Sequence, residues 1–261
     1  GNFKTRIFKK IEKNLAKKST KIIAISEIQK SELSKIHKIC PEKKIEVIPL
    51  GFDLEKFNTD KDYKRKEFRK KWNLKENEIA IGIIGRLVPI KNHKFFIDAI
   101  QEVLKNSKVP IRAFIVGDGE EKQNIINYIK NKNLDFSLNY NPATFHLTSW
   151  IKEIDRVNSG MDIICLTSLN EGTPVSLIEA QASGKPIVST KTGGIENIVL
   201  ENKTALLSEK NDLHNFSKNL LSLVNDSNKR KLFSKFGLEK SKDFHYDHLV
   251  NNIKNLYENK L

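Results

Sequence analysis

Sulfur is scarce in this 261-residue chain: it has two cysteines, Cys40 and Cys165, and one methionine. Two cysteines cannot build a disulfide framework, and they fit a reducing compartment. A cytoplasmic location is therefore expected. No apolar run approaches the roughly 18 residues of a membrane span; the stretch 79–85 is far too short. No secretory leader pattern is visible. The chain opens on Gly1 rather than Met, which raises the expectation of a processed chain or a fragment. The aromatic residues are not interleaved with the basic ones as a single-strand platform requires, so no nucleic-acid partner is expected.

What is present is apolar substance and positive charge. A hydrophobic content of 38% is enough for a real core and excludes full disorder. Lysine and arginine number 46 against 32 acids, a net charge of +14. The excess is concentrated in residues 1–21 (net +7) and 61–72 (net +5). An anionic surface, nucleic acid or membrane, is one reading of this; lysines coating solvated helix faces is the other. Residues 3–18 read as a helix, with Phe3, Ile7, Ile11 and Leu15 recurring every four residues. That row is expected to pack inward, with Lys4, Lys9, Lys10, Lys13 and Lys17 outward. Such a basic helix is suited to peripheral contact with anionic membrane, at its inner face.

Strand-like and helix-like segments then alternate. Strands are expected at 21–25, 45–48, 79–84, 112–116, 162–166 and 186–190. Helices are expected from Ser26 to about 38, then near 92–106, 119–131, 150–158, 174–183, 212–225, 228–242 and 246–259. Residues 133–149 show no clear pattern, and Trp150 is expected to anchor the helix that follows. Alternation of this kind argues for an α/β fold: a parallel sheet covered by helices on both faces.

Ligands of open parallel sheets bind beyond the carboxyl ends of the strands. Four such ends carry glycine or polar groups: Gly85-Arg86, Gly117-Asp118-Gly119, the run from Thr167 to Gly172, and Lys191-Thr192-Gly193-Gly194. In the third loop Thr173 is a good N-cap, Pro174 suits the first helical position and Gly184 a helix stop. Amides of Gly172, Thr173 and Val175 would then form an anion site at a helix N-terminus. Arg86 and Lys91 add full charges that suit a diphosphate. Glu179 sits among Leu177, Ile178, Ala180 and Ala182; a ribose diol could satisfy it, and so could solvent or an internal cation. His245 and His248 have helical spacing but no third ligand, so no metal is expected.

Glu171 and Glu179 form a Glu-x7-Glu pair. Together with Gly85-Arg86-Leu87-x3-Lys91, Val116-Gly117-Asp118-Gly119 and Gly184-Lys185-Pro186-Ile187-Val188…Gly193-Gly194-Ile195-Glu196, this resembles the C-terminal half of a retaining glycosyltransferase of family 4, with the GT-B fold. The segment from Ile45 to Asp53 is similar to that family's interdomain hinge, with Leu50 where Asn is usual. The resemblance implies that Arg86 and Lys91 hold the diphosphate of a nucleotide-sugar, UDP-linked by expectation. Glu171 would contact donor-sugar hydroxyls and Glu179 the ribose. Gly85 would let the backbone approach the donor, with Gly172, Thr173, Pro174 and Val175 alongside. The nucleotide-sugar is a substrate, and no cofactor is implied. The acceptor would be a glycan or a lipid-linked sugar, as in surface polysaccharide synthesis.

The organisation that follows has four parts. Residues 1–50 resemble the end of the acceptor-side domain, 51–60 a hinge, 61–242 the Rossmann-like donor domain and 243–261 a closing helix. The acceptor side's glycine-rich loop has no counterpart, so the chain is read as a donor-binding half, inactive in isolation. Two other readings stay open: a noncatalytic basic module, and an epimerase or phosphorylase on the same fold.

Overall fold

In the computed structural model, which describes residues 2–258, helix α1 (Asn2–Lys18) leads into strand β1 (Ile22–Ala24). Helix α2 (Glu27–Ser31) starts where Ser26 accepts the Gln29 N–H at 3.1 Å, as a capping serine should. Strand β2 (Ile45–Val47) pairs in parallel with β1. Two helices follow that the sequence patterns do not single out, α3 (Glu55–Asn58) and α4 (Lys61–Lys71). Then come β3 (Ile79–Ile84), α5 (His93–Asn106), β4 (Ile111–Val116) and α6 (Lys122–Asn131). The unpatterned stretch holds two short strands, β5 (Phe136–Ser137) and β6 (Phe145–Leu147). The series continues with α7 (Ile154–Gly160), β7 (Ile163–Leu166), α8 (Val175–Ala182), β8 (Ile187–Thr190), α9 (Ile195–Ile198) and β9 (Ala205–Ser208). It ends with α10 (Leu213–Asn225), α11 (Ser227–Ser241) and α12 (Tyr246–Glu258).

The chain divides into two compact units. One is Gly1–Asp53 with Phe244–Leu261, the other Leu54–Asp243. The second unit carries a seven-stranded, all-parallel sheet in the order β5-β6-β4-β3-β7-β8-β9. Every residue of β3, β4 and β7 is buried, as both faces of a helix-covered sheet require. Ile83, Ile115, Cys165, Phe96 and Phe145 lie in one core cluster, so Cys165 is packing material. Its thiol is pushed far up by burial, which makes it inert.

Three expectations are corrected. The apolar row of α1 does not pack inward: Ile7, Ile11 and Leu15 are 44%, 49% and 54% exposed. The helix instead buries Ala16, which lies on the side opposite Ile7. The Phe3 side chain lies outside the described residues. Trp150 is 58% exposed and precedes α7 rather than anchoring it. The basic run 61–72 is in part structural. Lys64 pairs with Asp155 at 2.9 Å, and Asp162 takes Arg65 at 2.7 Å and Arg69 at 3.2 Å. Asp162 also accepts the Ala80 N–H at 2.8 Å, so these arginines tie α4 to the amino ends of β3 and β7.

Candidate active site

The strand order reverses at β3. From it the chain steps outward to β4, then returns to lay β7 on the other side. The crevice beyond the carboxyl ends of β3 and β7 is therefore the switch point where doubly wound sheets bind ligands. Gly85-Arg86 and the run from Thr167 to Gly172 form its two rims.

Glycines let the strand-end loops close on one another. A Cβ on Gly117 would overlap the Gly85 carbonyl oxygen, and one on Gly193 would overlap that of Glu171. Gly193 also has φ +55°, a left-handed backbone that favours glycine. Buried hydroxyls fasten the same loops. Thr167 Oγ1 donates to the Lys91 carbonyl at 2.9 Å, and Thr190 Oγ1 to that of Ser168 at 2.8 Å. Thr192 Oγ1 donates to the Leu169 carbonyl at 3.0 Å. Leu169 N–H donates to the Ile90 carbonyl at 2.8 Å, joining the two rims directly.

On this scaffold Lys91 ends a short 3-10 turn (Pro89–Lys91) and places its Nζ 2.5 Å from Glu171 Oε1. Ser168 Oγ donates to the same oxygen, also at 2.5 Å. Among the described residues no donor reaches Glu171 Oε2. Arg86 is exposed, and no acidic group among the described residues pairs with it. One cation is thus held by a carboxylate and the other is open to an anion. A Cβ on Gly172 would meet nothing within 4 Å, so the loop there faces open space.

Helix α8 differs from the expectation at its start. Pro174, extended at φ −73° and ψ 95°, occupies the cap position, and no side chain caps the helix. Thr173 is not the N-cap, and Pro174 is one step further out than the first turn. The reason is local: with the extended proline at the cap, the helix begins at Val175. Among the described residues no side chain accepts from the first-turn amides, which stand at the positive end of the helix dipole. Val175 is 37% exposed there. Glu179 is one turn further on the same face. It is half-buried, no hydrogen-bond donor among the described residues reaches it, and burial pushes its carboxyl up to about 7 against the pull of Lys56. The geometry brings Lys91 and Glu171 into contact; it shows no contact of either with Arg86 or Glu179.

Residues 64–240 match the family of glycosyl transferases group 1. The chain belongs to that family. Its sequence is 30% identical over 262 residues to the UDP-Gal:alpha-D-GlcNAc-diphosphoundecaprenol alpha-1,3-galactosyltransferase of Escherichia coli, covering 94% of this chain. It spans 65% of that relative's length. Anabaena Alr3699/HepE, solved in complex with UDP-glucose, superposes with a TM-score of 0.80 at 20% identity, covering 96% of this chain and 67% of that one. The C-terminal domain of the group 1 protein LpcC from Francisella tularensis gives 0.61 at 21% identity, covering 74% of this chain and 97% of its own. These likenesses establish the fold as that of GT-B glycosyltransferases.

Sequence reasoning about this group 1 transferase misses Ser168 as a partner of Glu171, and the three threonines that fix the loops. Their signal is nonetheless there, since Thr167-Ser168 and Thr190 stand at strand ends. What a sequence does not reveal is which carbonyl or carboxylate a hydroxyl will find. Among the described residues no group of three or more His, Cys, Asp or Glu could hold a metal ion, and no helix is long and apolar enough to cross a membrane.

Proposed function

We propose that this chain is the donor-binding half of a retaining glycosyltransferase that uses a UDP-sugar and a lipid-linked or glycan acceptor in surface polysaccharide synthesis. The observation that carries the reading is what stands beyond the carboxyl ends of β3 and β7: Arg86, with no acidic partner among the described residues, the Lys91–Glu171 pair, and the start of α8, where no side chain caps the helix. Negative charge grows on the departing diphosphate, and fixed cations and helix amides stabilise that state more than the ground state. In this reading Arg86, Lys91 and the amides from Gly172 to Val175 hold the diphosphate. Glu171 orients the sugar, Glu179 takes the ribose, and the leaving phosphate accepts the acceptor's proton. The Escherichia coli relative's UDP-Gal donor and diphosphoundecaprenol acceptor support the donor and acceptor classes.

Residues 1–50 are assigned to the acceptor-side domain, 51–60 to a hinge, 61–242 to the donor domain and 243–261 to a closing helix. The exposed row of α1 with its lysines fits peripheral contact with anionic lipid at the cytoplasmic face. Orientation of the acceptor contributes roughly 7–11 kcal/mol to such reactions, and in this reading it is supplied from outside the donor-binding half. The isolated chain therefore binds donor without transferring sugar. Titration calorimetry with UDP tests the site. Arg86→Ala should lose on the order of 1.5–3 kcal/mol, one charge-assisted contact. Equal affinity in wild type and variant places the diphosphate elsewhere, and sugar transfer by residues 1–261 alone ends the half-enzyme reading.

A further inference from the structure

Glu171 is held in an unusual way for a residue that must meet a sugar. Both of its donors, Lys91 Nζ and Ser168 Oγ, reach one oxygen, Oε1, at 2.5 Å each. Oε2 has no donor among the described residues. Lys91 also serves the diphosphate in the function proposed above. A lysine cannot give its full charge to the phosphates and keep Glu171 fixed as firmly as before. When donor binds, the carboxylate loses much of its hold on that side. An unrestrained glutamate would then spend rotamer freedom each time it contacts the sugar.

Ser168 meets the need. It is fully buried, and its own carbonyl is pinned by Thr190 Oγ1 at 2.8 Å. Its backbone therefore cannot drift, and its short side chain has one rotatable bond before the hydroxyl. A serine hydroxyl can donate to a carboxylate without bringing a charge that would compete for the phosphates. We propose that Ser168 is a positioning residue: it keeps Glu171 Oε1 in place while Lys91 turns to the diphosphate, so that Oε2 remains aimed at a hydroxyl of the donor sugar. This rests on the proposed function. It adds a prediction about which part of the donor Ser168 governs: the sugar and not the nucleotide.

The test compares two ligands on the full 261-residue chain by calorimetry. One is UDP, which has phosphates but no sugar. The other is whichever of UDP-glucose, UDP-galactose and UDP-N-acetylglucosamine binds tightest. Ser168→Ala should leave UDP affinity within about two-fold and weaken the UDP-sugar about ten-fold, the size of one charge-assisted hydrogen bond. In a Glu171→Ala background, adding Ser168→Ala should change neither ligand, because the serine acts only through the glutamate. Ser168→Cys, close in shape with a feeble donor, carries the same comparison if the alanine variant fails to fold. Equal losses for UDP and UDP-sugar would mean that Ser168 merely supports the loop, and the inference falls. So it does if neither affinity changes, or if the loss persists without Glu171. Wild-type chain that binds no UDP at all is a different result: the donor site itself is then misplaced.

Discussion

Glu179 carries an unfavourable burial that a single substitution should relieve. Its carboxyl rises from an ordinary 4.5 to about 7, with burial the main cause and Lys56 opposing. A raised carboxyl binds more protons in the folded chain than in the unfolded one between those two values. Stability therefore falls as pH rises through that window, and above about 7 the full cost is present. The move from 4.5 to about 7 corresponds to roughly 3 kcal/mol. Glu179→Gln keeps the shape and removes the charge. At pH 8 it should stabilise the chain by about 3 kcal/mol, and at pH 5 by less than about 1 kcal/mol. For a unit of this size that is a rise of roughly 5–10 °C in Tm at the higher pH.

The same substitution should harm binding. If Glu179 accepts hydrogen bonds from the ribose, the amide in its place loses the charge-assisted part, and UDP affinity should drop about ten-fold at pH 8. Ligand would also favour the ionised carboxylate, so wild-type chain should release protons on binding UDP near neutrality, seen as a buffer-dependent calorimetric enthalpy. Thermal unfolding of both proteins across pH 5 to 8, with and without UDP, reads all of this. A stabilisation that is the same at both pH extremes would refute the raised carboxyl. A stabilised variant with unchanged UDP affinity would sever Glu179 from the ribose.

Asp162→Asn should strand Arg65 and Arg69 at the amino end of the sheet and cost about 3 kcal/mol in urea unfolding; less than about 1 kcal/mol would mean that solvent already screens the cluster. Gly193→Ala, with its Cβ driven into the Glu171 carbonyl at a left-handed φ, should lower Tm and abolish UDP-sugar binding, whereas Gly172→Ala, which meets open space, should leave Tm unchanged; equal behaviour of the two variants would contradict the loop packing. In liposome flotation the chain should bind vesicles containing anionic lipid, and Ile7→Ser with Ile11→Ser, both in the exposed row of α1, should release it; binding that ignores lipid charge removes the electrostatic part of the membrane reading.

The regular part of this fold is legible because periodicity is local. A strand buried on both faces, such as β3 with its six buried residues, must read as a continuous apolar run. Helix α5 buries Phe96, Ile97, Ile100 and Val103 on one side, and so it must show a helical pattern. Elements whose stability comes from elsewhere in the chain leave no such trace. Strand β5 is two residues long and exists because β6 offers it a ladder. Helix α4 has little apolar surface, with Phe68 its one buried hydrophobic side chain. Its sequence looks like a solvated basic run; Asp155 and Asp162, some ninety residues away, give three of its cations a structural role. Helix α1 errs in the other direction. Its pattern announces an apolar face, but a pattern cannot say what that face will meet, and among the described side chains of α1 the small Ala16 is the buried one.

The site divides along the same line. Glycines and charges at strand ends can be placed on one edge from the order of strands and helices along the chain, because parallel connectivity fixes which ends share an edge. The family resemblance then attaches roles to Arg86, Lys91, Glu171 and Glu179. Neither route can show that Lys91 and Glu171 meet each other. That contact has a consequence for binding. If a diphosphate binds at the rim as proposed, it must draw Lys91 away from a carboxylate at 2.5 Å, so part of the attraction between lysine and phosphate offsets the loss of an existing pair. Arg86, which has no acidic partner among the described residues to give up, should therefore contribute more to UDP affinity than Lys91 does, although the two carry the same charge. Glu171→Gln should narrow that gap by weakening the competing pair. Calorimetry on Arg86→Ala and Lys91→Ala, each with and without Glu171→Gln, resolves the terms. If Lys91→Ala costs more than Arg86→Ala in the wild-type background, the lysine is not competed for, and the pair must already be broken in solution.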